Sequence, residues 1–392
     1  MPRSRTDSQN SDSRQIASHL DLDEAVGRVD GVLDPAVSFQ SGEQFVVEGA
    51  LRREPDEAYG ELQRRFADTD LVPLLQETEE GRPVLVLSPR SEMPNPPETS
   101  ARTWVNLALF VATLATTTWA GALHEGVNLL AEPDRFMAGL PYALALMLIL
   151  GAHELGHYFT ARRYGIDVSL PYFIPVPFAL GTFGAFIKMK SLSPTRRAAF
   201  DVAVAGPLAG LAVAIPALLV GLQYSEVVTT GQAPSMMMGG ADAGSSLLFA
   251  LLAKLALGEA VLEGHRLVLH PIAFAGWLGL LVTALNLMPV GQLDGGHMAH
   301  ALLGGRRAYT AGVATLAVLV VVGLFVWSGL LFWALLIYFV AGTRDVPPLN
   351  DVSRLDRRRV VLGIMAFALL LAILLPVPPS LYGSFGIHSP YL

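Results

Sequence analysis

An apolar run, MAGLPYALALMLILGA, ends at residue 152 and passes directly into HELGH at residues 153 to 157. An ionisable side chain in the middle of a membrane helix costs about 2.5 to 3.5 kcal/mol, so such groups mark function by default. On a helix, His153 and His157 lie four residues apart, about 40° around the axis and roughly 6 Å along it, so both rings reach one metal ion. Glu154 projects about 100° from His153, better placed to address a water on that metal than to ligate it. This is the spacing of a zinc hydrolase. A proton relay or a helix-packing cluster is the plainer alternative.

The rest of the chain has the composition of a membrane protein. Of its 392 residues, 52% are hydrophobic and only 16% charged. Apolar runs near the roughly 20 residues that a bilayer core demands are expected to form spans at about 103–122, 137–161, 198–222, 272–290, 308–324, 326–341 and 360–377. Little separates the fifth from the sixth around Val326 to Gly329, so the count is six or seven. With no cysteine, disulfides and thiolate metal sites are excluded, and any metal must take nitrogen and oxygen ligands, which favours a catalytic over a structural zinc.

Charge divides the chain. Residues 1–100 hold 20 acidic and 10 basic side chains, and residues 101–392 hold 14 and 17. Residues 1–30 read as a polar, disordered tail, and MPRSRTDSQNSDSRQ lacks the apolar stretch of a cleavable secretory signal. Between 31 and 90, AVSF, QFVVEGAL, LVPLLQ and PVLVLS read as strands around a helix from Glu54 to about Ala67, giving a small soluble α/β module. Residues 91–102 form a Pro-rich linker into a membrane core at 103–303, with further transmembrane helices at 304–392. Arg162, Arg163, Lys188, Lys190, Arg196, Arg197, Arg306, Arg307, Arg344 and Arg357 to Arg359 fall on one side of these spans, against Arg135, Lys254 and Arg266 on the other. The first side is expected to be cytoplasmic, with the N-terminal module and the opening of the site. The module's acidity argues against nucleic acid as a partner.

Three other stretches stand out. In 168–195, Pro171, Pro175 and Pro177 break helical continuity, and GTFGAFIKMKS alternates as a strand, either an ordinary hairpin or an edge strand beside the metal. Read the second way, Gly181, Thr182, Phe183, Gly184 and Ala185 would hold an unwound substrate by strand addition. GPLAG places Gly206 and Gly210 where small residues let helices approach closely. Residues 223–271, with Met236 to Met238 and SLLFALLAKLALGEAVL, read as an interfacial helix or lid.

A catalytic zinc site needs a third protein ligand. Asp294, in NLMPVGQLDGGH, is the best candidate, because its span ends on the same side as that of His157. His297 and His300 compete for the role but suit hydrogen bonding to a ligand carboxylate. His124, His265 and His270 fall on the opposite side.

HELGH, NLMPVGQLDGG and GPLAG together resemble the site-2 protease family of intramembrane zinc metalloproteases over residues 137–303, and the N-terminal module with GTFGA resembles its EGY-like branch. The resemblance implies one zinc per chain on His153, His157 and Asp294, Glu154 as the catalytic base, Asn286 on the substrate carbonyl, and cleavage of transmembrane protein substrates within the lipid bilayer. It also implies a multi-pass α-helical fold in the cell membrane. Many members carry Asn where this chain has Gly210, so that residue's substrate contact is not expected here. A metal or proton transporter using the same cluster, or a zinc-binding platform without proteolysis, are the competing readings.

Overall fold

The computed structural model describes residues 21–78, 80–93, 103–229, 240–241, 246–258, 265–325 and 328–377. Most of the expected tail (1–20), most of the linker (94–102) and Met236 to Met238 lie outside these residues.

The N-terminal module is a four-stranded antiparallel sheet in the order β1-β2-β4-β3, with β1 Leu33–Ser41, β2 Gln44–Leu51, β3 Leu71–Glu77 and β4 Pro83–Pro89. Ser41 pairs with Gln44 across a two-residue turn, and Gly42 takes the positive φ of 63° that such turns require. Alternation in β2 turns Phe45 and Val47 inward. There, with Leu85 and Leu87 of β4, they meet Ala58 and Leu62 of α2 (Pro55–Arg65). A first helix, α1 (Leu22–Val29), adds Ala25 and Val29 to this core, so residues 22–29, expected to be disordered, are helical and packed. Its start is fixed by Asp21, whose carboxylate accepts from the Glu24 amide.

The remainder is mostly helical. Three helices are long and apolar enough to cross a membrane among the described residues: α3 (Thr103–His124), α5 (Arg196–Gln223) and α9 (Gly305–Phe325). Between them run α4 (Leu140–Arg163), α6 (Leu247–Leu257), α7 (Pro271–Leu287) and α8 (Asp294–Leu303), and α10 (Gly329–Ala341) and α11 (Arg357–Leu374) follow. The outward faces are apolar: Leu144, Leu148 and Phe159 on α4, Val321 and Leu324 on α9, and Ile364 and Met365 on α11 are all exposed. Apolar exposure on this scale marks a surface made for lipid. The chain is a membrane protein.

Glycines let the central helices meet. Gly156 of α4 faces Ala205 and Ala209 of α5, Gly276 of α7 faces Leu218, and Gly279 sits against Ala214 and Ile149. A side chain at any of these points would hold α4, α5 and α7 apart. Between α4 and α5, β5 (Tyr172–Pro175) and β6 (Thr182–Phe186) form an antiparallel hairpin. α3 carries it: Thr116 Oγ1 donates to the Gly181 carbonyl at 2.7 Å, and Asn106 donates to the Leu170 and Pro171 carbonyls, each at 3.0 Å. Such bonds are what non-helical backbone needs at membrane depth. The segment after α5 contains a small sheet, β7 (Glu226–Thr229), β8 (Gly240–Ala241) and β9 (His265–Val268), that the periodicity did not indicate. α6 buries Phe249 and Ala250 in the main core.

Leu62 is fully buried in the module. Leu62→Ala is expected to cost about 2 to 5 kcal/mol there, read as lost amide hydrogen-exchange protection in β2 and β4 of the full-length protein while the apolar helices stay protected.

Candidate metal centre

α4 stacks His153 over His157 one turn apart, with Nε2 atoms 3.1 Å from each other. Asp294, the first residue of α8, brings Oδ2 to 3.3 Å from each of those nitrogens. These three side chains are the one cluster among the described residues able to hold a metal ion. Zinc bonds of about 2.0 to 2.1 Å at the tetrahedral angle require ligand atoms about 3.3 to 3.4 Å apart, close to the triangle observed. The tautomer also suits: His157 Nδ1 lies 2.8 Å from the Val202 carbonyl, so it carries the proton and leaves Nε2 free to ligate. Two imidazoles and a carboxylate form a three-ligand set of the catalytic kind.

Local sequence explains how residues 153 and 294 meet. Pro289 follows the end of α7, and Gly295 lies so close to the Leu287 carbonyl that a Cβ would come within 2.0 Å of it. The chain therefore doubles back tightly and starts α8 beside the last turn of α7. That last turn carries Asn286, whose Nδ2 lies 3.3 Å from His153 Nε2. Across the site, α5 supplies a floor. A Cβ on Gly206 would sit 2.1 Å from His157 Nε2, and one on Gly210 3.3 Å from His153 Nδ1. The helix approach expected of GPLAG is thus also an approach to both imidazoles.

Glu154 is buried and opens with the triad onto a cleft of about 550 Å³, lined further by Ala185, Ile187, Asn286, His297 and Pro347. Of the other β6 residues singled out in the sequence, Gly181 packs on the Thr117 backbone and Thr182 turns its hydroxyl to the Ile174 carbonyl at 2.9 Å. Phe183 is 73% exposed, and neither it nor Gly184 lines the cleft. His124 packs at a tilt against Tyr142 and Phe274, and His270 accepts from the Ile272 amide at the start of α7, so neither joins the triad.

His297 and His300 follow Asp294 on α8 and meet Asp345, from the segment between α10 and α11. His297 Nδ1 lies 2.5 Å from Asp345 Oδ1, His300 Nδ1 2.9 Å from Oδ2, and His300 Nε2 3.0 Å from Asp351 Oδ2. Burial disfavours the Asp345 carboxylate, but its bonds to the two imidazoles hold it down at about 2. Burial disfavours the His300 cation too, yet Asp345 and Asp351 raise it to about 9. Sequence reasoning passed over Asp345. The available signal was the i, i+3 spacing of His297 and His300, which puts two imidazoles on one helix face in need of an acidic partner.

The site is a His-His-Asp set that fits a metal ion, with a carboxylate beside it, in a helical membrane body. Residues 141–329 match peptidase family M50. The chain is 32% identical over 345 residues to the probable zinc metalloprotease EGY2, chloroplastic, of Arabidopsis thaliana, covering 86% of this chain and 61% of that protein. It is 31% identical over 390 residues to the probable zinc metalloprotease EGY1, chloroplastic, of the same plant, covering 88% and 68%. With the probable zinc metalloprotease EGY3, chloroplastic, of Oryza sativa subsp. indica it shares 28% over 382 residues, covering 90% and 63%. The chain thus spans 61 to 68% of the length of these relatives. No solved structure matches. The chain belongs to peptidase family M50.

Two outcomes follow from this geometry. Gly206→Ala is expected to weaken metal binding roughly tenfold or more, and Gly210→Ala less, in a competition titration with a chromogenic chelator. For the His300 clasp, the folded-state value is raised, so its stability is full below the ordinary 6.5 and is lost as pH rises through about 9. The gap in melting temperature between the unsubstituted chain and His300→Gln should therefore shrink steadily between those limits.

Proposed function

We propose that this chain is an intramembrane zinc metalloprotease that hydrolyses peptide bonds in or near transmembrane segments of protein substrates. The observation that carries the reading is the convergence of His153, His157 and Asp294 with Glu154 on one cleft inside the apolar helices. One zinc ion per chain, held by that triad, would supply Lewis acidity to the scissile carbonyl and to the attacking water. Glu154, adjacent in sequence and on the same cleft, takes the proton from the water and delivers it to the leaving amine. Asn286 offers an amide donor beside the triad, suited to the carbonyl oxygen as charge develops on it.

A substrate helix hides its carbonyls and must unwind before it reaches the triad. β6 pairs with β5 along one edge, and Ala185 at its cleft end lines the site, so its other edge suits strand addition to an unwound segment. Gly181 to Gly184 extend that edge away from the cleft, where they would hold more distant substrate residues. Six or seven spans and a cytoplasmic module complete the proposal. Its support is that the basic ends of α4, α5, α9 and α11 lie at the end that the module meets, where Arg197 of α5 pairs with Asp56 of α2 at 2.7 Å.

The deciding test is Glu154→Gln in detergent-purified protein, assayed for zinc and for cleavage of a single-span substrate beside His157→Ala and Asp294→Ala. Glu154→Gln should keep about one zinc and lose at least about 10²-fold in kcat, while the other two lose zinc. Metal flux through liposomes with no cleavage by the unsubstituted chain would sink the proposal in favour of transport.

A further inference from the structure

Residues 342–356 join α10 to α11 as an extended strap, and both ends of this strap are tied down. At its centre, Leu75 of β3 donates its amide to the Leu349 carbonyl at 2.8 Å, and Asp351 returns an amide to the Leu75 carbonyl at 2.8 Å. On the strap's other edge, Leu349 and Asn350 donate to the Ser193 and Pro194 carbonyls at 2.9 and 3.1 Å, and Arg196 donates to the Asn350 carbonyl at 3.1 Å. The strap is thus an added strand between the N-terminal sheet and the start of α5. Side chains reinforce it. Asp56 accepts from Ser353 Oγ at 2.5 Å, from Asn350 Nδ2 at 3.3 Å and from Arg197 at 2.7 Å. Gln76 donates to the Pro348 carbonyl at 2.9 Å.

The near end of the same strap reaches the metal centre. Val346 and Pro347 line the cleft, and Asp345 clasps His297 and His300 on the helix whose first residue is Asp294. Asp351 ties His300 to Arg196, which in turn lies 3.4 Å from Glu77 of β3. α8 is only 10 residues long and carries no side-chain cap at its start, so its placement depends on what grips it from outside.

We propose that Asp345 is a positioning residue for the metal ligand Asp294, and that the N-terminal module sets that position by holding the strap along the β3 edge. The module is then a part of the site's scaffold, and a partner that pulled it away would loosen the triad. The inference rests on the zinc-site reading above, and its readout is metal retention, which does not require cleavage.

The test is the rate at which excess EDTA strips zinc from the purified full-length protein. Asp345→Asn should speed stripping roughly tenfold or more, in line with outer partners of metal ligands. Asp56→Ala, at an exposed position on the module, should speed it several-fold by releasing the strap from a distance. The double variant should strip no faster than Asp345→Asn alone, because both substitutions break one linkage. On a cleaved substrate, both should lower kcat and leave KM in place, which general destabilisation would not do selectively.

Stripping by Asp345→Asn at the unsubstituted rate, or effects of the two substitutions that multiply, would overturn the proposal. Should Asp345→Asn fail to fold, an unchanged rate in Asp56→Ala alone overturns it. A chain that binds zinc and shows this coupling but cleaves nothing refutes the protease reading and leaves the positioning role standing.

Discussion

The constraint on which this structure depends is the burial of two imidazoles and two carboxylates among apolar helices. None of His153, Glu154, His157 and Asp294 is tolerable there alone. Together His153, His157 and Asp294 form a set whose ligand atoms face one point, with His157 held from behind by the Val202 carbonyl. The rest of the membrane body follows from that need. α4 supplies three of the groups at helical spacing, α7 must end early so that α8 can carry Asp294 back toward them, and α5 must present glycine where the rings project. A larger residue at position 206 would occupy the space of the His157 ring, so the small-residue pattern on α5 serves packing and chemistry at once.

Backbone satisfaction is the second constraint. The hairpin of β5 and β6 places irregular chain beside α3 and α4, where water is scarce. α3 answers with side chains from its own apolar surface: Thr116 and Asn106 bond hairpin carbonyls, and Tyr142 of α4 donates to the Leu180 carbonyl at 2.9 Å. These bonds fix where β6 lies relative to Glu154. The strand edge that faces the cleft is therefore set by polar residues scattered in two otherwise apolar helices.

Much of this was legible before the structure. The helix extents follow the apolar runs to within a few residues, because run length and lipid thickness leave little choice. The four strands of the N-terminal module fall on the four apolar stretches, and β2 alternates as Phe45 and Val47 require. The meeting of His157 with Asp294 rested on a topological argument, that two spans end on one side, and the distances agree with it. Other features left no periodic trace. α1 is short and polar on its outer face, so LDEAVGRV looks like the tail it adjoins until Ala25 and Val29 are seen against the sheet. The small sheet after α5 pairs Glu226–Thr229 with His265–Val268 across a long sequence gap, which no local pattern encodes.

The strap is the clearest case of structure that sequence withholds. RDVPPLNDVS has neither helical nor strand alternation, and its two prolines mark only an extended, donor-poor chain. That same property suits it to lie between two partners. Leu349 and Asp351 keep the amide groups that the prolines lack, and those amides find carbonyls on opposite sides, Ser193 before α5 and Leu75 in the module. A segment that cannot form its own secondary structure thereby docks on the open β3 edge of the four-stranded sheet. Because its first turn away from α10 also carries Asp345, the acidic N-terminal module and the candidate metal centre share one mechanical element. The N-terminal module comes first in the chain and its docking strand nearly three hundred residues later, so among the described residues every apolar helix but α11 precedes the segment that completes this joint.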